Sequence, residues 1–260
     1  MNRNAMTDFT VAFERDPNIA HYDDFTTNFN PLFAPTRFFA YVGVVVNVFR
    51  GIYENGLLKL KKAMVSGQYH NAKGIFYGGQ SLQFSYVVLT QFVQNFFKDR
   101  AKWPSKVTWI DVHTGLGKYG HDTLFFSSVS DEQFRAGSRA FKGGSVTALG
   151  RNQNDVTAGY ELTIGAINDL MEAQFQSLFQ DNNDKKKKVD TMVISQEFGT
   201  KSNVYVARAL ILENMAYNFL EAVPEWVQEI FKSAFYPRTS KWRRLVLTRG
   251  LTVLHQAIEQ

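Results

Sequence analysis

The sequence predicts an α/β fold in which helices flank a largely parallel sheet. Two β-branched and aromatic runs, residues 107–113 and 191–197, each end in an ionisable side chain followed closely by glycine, as buried strands do where they lead into loops. Apolar residues at helical spacing lie between and after these runs, and such alternation is typical of a parallel sheet. With 260 residues, 45% of them hydrophobic, we expect a single domain that spans residues 1–260.

The amino-terminal part of the chain is predicted to hold loops and helices. The first 37 residues show no sustained period and are expected to form an extended, ordered loop. Residues 37–65 carry apolar side chains at helical spacing, which predicts one long helix or two shorter ones with a break near Gly56. Paired glycines within residues 67–80 indicate positive φ or close backbone approach rather than phosphate binding. Ser81 is expected to cap the next helix, which ends near residue 101.

The carboxyl-terminal part holds the predicted strands. The first strand is expected to end at His113 in a glycine-rich loop. The other predicted elements are a strand at 123–126, a short capped helix at 130–141, a loop at 143–157, a helix within 159–179, a strand at 191–197, and helices at 203–221, 224–233 and 240–260.

Composition narrows the possible partners and metal ligands. The net charge is +5, and the four consecutive lysines at residues 185–188 follow an acidic stretch and have no interleaved aromatic residues. This pattern favours a solvated loop over a nucleic-acid surface, so no nucleic-acid partner is expected. The chain has no cysteine, which excludes disulfides and leaves only His, Asp or Glu as metal ligands.

Hydropathy predicts no membrane span. The polar residues 1–10 do not resemble a signal peptide, and the longest apolar run, residues 38–49, is about half the length that crosses a bilayer. A buried helix explains this run better than a membrane-surface helix. Together with the lack of cysteine, these features predict a cytoplasmic protein.

Three residues at the predicted strand ends have the properties of a functional site. His113 lies at the carboxyl end of its strand, where α/β proteins bind ligands, and is our candidate zinc ligand. Asp111, two positions earlier, points to the same side and can orient the imidazole. Glu197 lies at the end of the predicted strand at 191–197, in the position that corresponds to His113. Desolvation there should raise the pKa of Glu197 toward the range of a general base. The alternative is that Glu197 has a structural role and pairs with an Arg or a Lys.

These motifs resemble the zinc carboxypeptidase superfamily. Residues 110–115, Ile-Asp-Val-His-Thr-Gly, resemble the Asp-Leu-His motif that supplies the third zinc ligand in its aspartoacylase and succinylglutamate desuccinylase branch. Residues 196–200 resemble its strand-end catalytic glutamate, and residues 1–4 are similar to the segment whose Asn-Arg pair binds a substrate carboxylate.

Three further sequence segments are similar to one particular branch of this superfamily, a carboxypeptidase-like domain described only as a domain of unknown function. These segments are residues 74–79, 113–121 and 234–237. The likeness covers essentially the whole chain.

The resemblance implies a zinc-carboxypeptidase-like three-layer αβα fold with a mixed, largely parallel sheet. It also implies zinc-dependent hydrolysis of an amide bond, by a metallocarboxypeptidase or an N-acyl amino acid deacylase, in a small-molecule or peptide substrate that carries a carboxylate. The implied roles are zinc ligand for His113, general base for Glu197, carboxylate binding for Asn2 and Arg3, and, as weaker candidates, pocket lining for Tyr119 and His121.

The sequence departs from the family pattern at the metal site. Family members carry a His-x-x-Glu pair, the first two zinc ligands, before the Asn-Arg segment, and this sequence contains no His-x-x-Glu. A catalytic zinc normally has three protein ligands, so we expect the chain as it stands to be inactive. It then corresponds to the carboxyl-terminal part of the domain, lacks the amino-terminal strands, and leaves a sheet edge or apolar face uncovered. The alternative is a non-catalytic remnant that serves as a binding or interaction protein.

Overall fold

The computed structural model describes residues 3–126, 130–149, 160–179 and 189–259. The predictions made for Asn2 and for the lysines at 185–188 lie outside the described residues.

The described strands form one mixed, mostly parallel sheet. They are β1 (Lys106–Tyr119), β2 (Asp122–Phe126), β3 (Ser145–Ala148) and β4 (Asp190–Gly199). Their order in the sheet is β1-β4-β2-β3; β1 pairs with β4 and β2 with β3 in parallel, whereas β2 and β4 are antiparallel. The predicted fold class is therefore confirmed.

Helices make up most of the remaining described structure. They are α1 (Thr10–Glu14), α2 (Thr26–Phe29), α3 (Val44–Asn55), α4 (Leu57–Ser66), α5 (Phe84–Phe96), α6 (Asp131–Ala140), α7 (Ile167–Phe179), α8 (Asn203–Phe219), α9 (Glu225–Phe235) and α10 (Ser240–Ile258). A π-helical segment, Phe39–Gly43, leads into α3, and 3-10 helices span Asp23–Phe25, Arg100–Lys102 and Tyr160–Leu162. The break predicted near Gly56 is confirmed, since Gly56 has a φ of 92° between α3 and α4.

The sheet lies between two helical layers, because alternate strand residues bury opposite faces. Trp109 and Val193 pack with α5 and α7 on one face. Ile110 and Ile194, one position along, pack with α6 and α10 on the other. A third core joins α3, α4, α8 and α9 and contacts β1 through α8 and α9.

Two predicted loops are wrong because strand pairing extends into them. β1 does not end at His113: it continues to Tyr119, and a register shift after Gly115 lets it stay paired with Gly199 of β4. Gly115 and Gly117 have φ values of 155° and 111°, which glycine adopts at little cost. Within the predicted loop at 143–157, Ser145–Ala148 forms β3 because it pairs with β2.

Two further local predictions need correction. The opening is not only loop, since it contains α1 and α2. Ser81 does not cap α5: that helix has Gln83 at its N-cap position, without a side-chain cap.

The apolar run at 38–49 is only partly buried. Val44 and Val48 are in the core, whereas Phe38 and Phe49 are exposed, so the expected buried helix is in fact amphipathic. No helix in the described ranges is long and apolar enough to cross a bilayer. β1 forms one edge of the sheet, where Val112 is 58% exposed.

Candidate functional site

Arg3 is a buried cation beside the sheet. Its side chain is only 6% exposed, and its Nε donates to the Val65 carbonyl at 2.9 Å. Its Nη2 donates to the same carbonyl. The guanidinium carbon lies 5.1 Å from the ring centroid of Phe76 and 5.8 Å from that of Tyr160. Burial lowers the pKa of Arg3, and nearby tyrosines and Glu197 oppose that effect.

Glycines allow the loops around Arg3 to approach its backbone. A Cβ at Gly67 would lie 2.7 Å from Arg3 Cγ, and one at Gly165 would lie 2.6 Å from the Arg3 carbonyl oxygen. Both glycines have positive φ. The Tyr69 hydroxyl donates to the carbonyl oxygens of Arg3 and, at 2.9 Å, Ile164. A Cβ at Gly78 would likewise lie 2.6 Å from the Arg3 carbonyl oxygen, so the close backbone approach predicted for residues 67–80 is confirmed.

Asp111 and His113 form a pair on β1. Their side chains share one face, as predicted, and the Asp111 carboxylate is hydrogen-bonded to His113 Nε2. Burial lowers the pKa of His113, but the bond to Asp111 and the negative charges of Asp111 and Glu197 outweigh it, so the pKa is raised overall. The imidazole is thus oriented by a carboxylate, as the sequence indicated.

Glu197 lies opposite His113 in the β1–β4 register. Its side chain is 3% exposed, and Oε1 accepts a hydrogen bond from the Leu116 backbone N–H at 2.9 Å. Burial raises the pKa of Glu197 to about 7, although that bond, His113 and Arg3 partly oppose the shift and Asp111 adds to it. A carboxyl group with a pKa in this range can both accept and release a proton near neutral pH.

A cavity of about 230 Å³ opens beside these residues. It lies at the face of β1 and β4 that α7 covers, and the beginning of α7 forms part of its wall. Polar side chains in its lining include Arg3, Asp111, His113, Thr163, Asn168 and Ser195. Glu197 neighbours this group but is not itself in the lining.

The weaker candidates lie away from the cavity. The Tyr119 hydroxyl is hydrogen-bonded to the Thr239 hydroxyl before α10. His121 is exposed, and its Nδ1 lies 3.1 Å from the Tyr119 carbonyl oxygen. Neither residue is in the cavity lining, and their predicted pocket roles stay predictions.

Tyr160 and Asn168 are among the lining residues that sequence reasoning missed. Burial raises the pKa of Tyr160, and the negative charge of Glu197 is the next largest cause of this rise. Asn168 is 2% exposed, and its Nδ2 donates to Ser195 Oγ at 2.8 Å. Neither residue lies in a motif, and their partners are distant along the chain, so no local pattern marks them.

The described residues do not fit a catalytic zinc. They contain no group of three His, Asp or Glu side chains placed to hold a metal. His113 Nε2 is bonded to Asp111, which orients the ring but adds no further ligand. Because a catalytic zinc normally takes three protein ligands, His113 by itself does not complete such a site.

One comparison with known proteins gives a family match. The model of the family described as "Protein of unknown function (DUF2817)" matches residues 1–249. No curated protein and no solved structure matches the chain.

Proposed function

This chain belongs to the DUF2817 family, and we propose that its cavity is an amide-hydrolase-type site for a small-molecule or peptide ligand that carries a carboxylate. The supporting observation is that a buried carboxyl group with a raised pKa, Glu197, and a buried cation, Arg3, influence each other's pKa next to the Asp111–His113 pair. The finer assignment, to a zinc-carboxypeptidase-like hydrolase or N-acyl amino acid deacylase, rests on the motif resemblance.

The roles follow from the chemistry of each group. A carboxyl group whose pKa is about 7 can accept a proton and return it at neutral pH, which suits Glu197 as general base. The guanidinium of Arg3 forms charge-assisted hydrogen bonds with a carboxylate, which are among the stronger ones. Asp111 holds the imidazole of His113 in one orientation.

In the enzymes that the motifs resemble, zinc polarises the scissile carbonyl. The described residues do not fit that ion, so we assign no step to it and propose that the chain by itself binds its ligand without turnover. The lack of three placed metal ligands among the described residues favours a second candidate, a non-catalytic binding protein that uses the same cavity.

Calorimetric titration with N-benzoylglycine and N-methylbenzamide, which lacks the carboxylate, tests the proposal. We expect N-benzoylglycine to bind about tenfold more tightly or better, because a hydrogen bond to a charged group contributes about 1.5–3 kcal/mol. Arg3→Gln, checked for folding by circular dichroism, should remove that preference. Equal binding of the two ligands by the unmodified chain would exclude a carboxylate site.

A hydrolysis assay tests the expected inactivity of the chain and the general-base assignment of Glu197. We expect no release of glycine from N-benzoylglycine above the protein-free rate. Turnover that Glu197→Gln abolishes would contradict the inactivity of the chain and exclude the non-catalytic candidate. Turnover that this variant retains would contradict the general-base assignment.

A further inference from the structure

The helix that leads into and includes α3 exposes a row of apolar side chains outside the cavity. We call this row the α3 stripe; it consists of Phe38, Tyr41, Val42, Val46, Phe49 and Tyr53. Its members follow one another at spacings of at most four residues, so they share the side of the helix opposite the buried Val44 and Val48. None of the six lines the cavity, so the proposed function does not account for them.

The α3 stripe is larger than a scatter of single exposed apolar residues. Its four aromatic residues are 56–92% exposed. An aromatic side chain buries about 150–250 Å² when it is covered, so these four expose on the order of 500 Å² together. An apolar patch of this size on a folded protein usually marks an interaction site.

The beginning of the stripe is fixed by α8. The buried Arg208 of α8 donates from Nε to the Ala40 carbonyl at 2.6 Å, inside the π-helical segment. Its guanidinium carbon also lies 5.1 Å from the ring centroid of Tyr41. The exposed Tyr41 is therefore held in place before any partner arrives, which lowers the entropic cost of binding.

Positive charge surrounds the α3 stripe. Residues 25–98 contain seven Lys and Arg residues and a single acidic residue, Glu54. The carboxylate of Glu54 is paired with Arg50 Nε at 2.8 Å. The exposed cations Arg37 and Lys59, just before and just after the stripe in the chain, therefore leave this surface positive.

Two neighbouring segments also contribute acidic residues. Asp24, whose carbonyl accepts from Asn55 at the end of α3, has its carboxylate 3.2 Å from His21 Nδ1. Glu225 precedes Trp226 of α9, and the guanidinium of Arg37 lies over the Trp226 ring. Neither segment reverses the excess of positive charge along residues 25–98.

This combination of side chains matches a lipid surface. At the membrane–water interface, aromatic rings lie at the level of the headgroups, while Lys and Arg extend to the lipid phosphates. An amphipathic helix can lie in this plane with its apolar face in the lipid, and anionic lipids strengthen its binding. A second copy of the chain would instead bring two positive surfaces together, which is unfavourable.

We infer that the α3 stripe docks this protein on an anionic lipid surface, with its aromatic side chains among the headgroups and Arg37 and Lys59 against the phosphates. Docking of this kind is peripheral. It is compatible with the absence of a membrane-spanning helix from the described ranges.

Vesicle sedimentation tests the lipid preference. For phosphatidylcholine vesicles with about 30% phosphatidylserine, we expect a partition coefficient about tenfold or more above that for pure phosphatidylcholine, since each nearby Lys or Arg contributes about 1 kcal/mol. Lys59→Gln should lower the coefficient for the anionic vesicles about fivefold. Lys98→Gln, which removes an equally exposed charge after α5, is the control and should leave it unchanged. Equal binding to both kinds of vesicle would overturn the inference.

A pair of double variants tests the α3 stripe itself. Phe38→Ser with Tyr53→Ser removes two highly exposed rings, so the fold should be kept and the partition coefficient for the anionic vesicles should fall about tenfold or more. Phe84→Ser with Phe96→Ser removes two comparably exposed rings from α5, which packs in a different core, and should bind as the unmodified chain does. Full binding by the first double variant, or an equal loss in both, would contradict docking through the stripe.

Sedimentation equilibrium distinguishes lipid docking from self-association. We expect the unmodified chain and the Phe38→Ser, Tyr53→Ser variant to have the same molecular mass in solution. A dimer of the unmodified chain that this variant dissociates would assign the α3 stripe to a second copy and overturn the inference.

Discussion

At the scale of single residues, Glu197 is defined by what surrounds it. A glutamate at the end of an exposed strand would have an ordinary pKa, but here the side chain is 3% exposed and has a backbone N–H as hydrogen-bond donor. Burial is the larger effect and raises its pKa to about 7. The sequence indicated this direction from an apolar strand that ends in a carboxylate, but the size of the shift depends on neighbours from other segments.

Glu197→Gln should change how stability depends on pH. The folded-state pKa of about 7 exceeds the ordinary value of 4.5, so the folded state binds this proton more tightly. That contribution to stability is complete below pH 4.5 and is lost as the pH rises through 7. At pH 8 we expect the glutamine variant to exceed the unmodified chain in free energy of unfolding by about 3 kcal/mol more than at pH 4.5. Urea denaturation at both pH values measures this change, and a constant difference would contradict the pKa shift.

At the scale of elements, the loops that hold Arg3 depend on glycine. The sequence predicted close backbone approach from the paired glycines, but not which segment would approach. The structure shows that Arg3 is that segment, and that Gly165, before α7, contributes as well. Such contacts between distant segments leave no periodic signal in a sequence, whereas strands and helices do.

Gly165→Ala should therefore destabilise the protein. Its φ of 69° disfavours alanine, and the new Cβ would lie 2.6 Å from the Arg3 carbonyl oxygen. We expect the free energy of unfolding to fall by about 2–4 kcal/mol. Gly250→Ala in α10 is the matched control: it has open space around the new Cβ and should stabilise the helix by about 0.5–1 kcal/mol. A Gly165→Ala protein as stable as the unmodified chain would show that this contact is unimportant.

At the scale of the whole molecule, the fold brings the strands β1, β2 and β4, the start of α7 and residues before these elements, such as Arg3 and Tyr160, to one cavity. β1 and β4 supply Asp111, His113 and Ser195, and α7 covers them. The parallel pairing places His113 opposite Glu197, as two buried runs ending in ionisable residues indicated. The same fold does not assemble three metal ligands among the described residues.

Zinc should therefore bind weakly. After purification without chelator, we expect elemental analysis to find much less than one zinc per chain, and equimolar zinc to leave the thermal midpoint unchanged, because tight binding of a ligand by the folded state would raise it. About one zinc per chain that is lost in His113→Ala would refute this expectation.

The sequence by itself determined the α/β class, the shared face of Asp111 and His113, and the equivalent position of Glu197. These features follow from periodicity and strand geometry, which are local. Only the tertiary structure decided the burial of Arg3, the continuation of β1 past His113, and the meeting of Tyr160 and Asn168 at the cavity. Those depend on contacts between distant segments, such as Arg3 with Val65 and Leu116 with Glu197, and local residue patterns do not specify such partners.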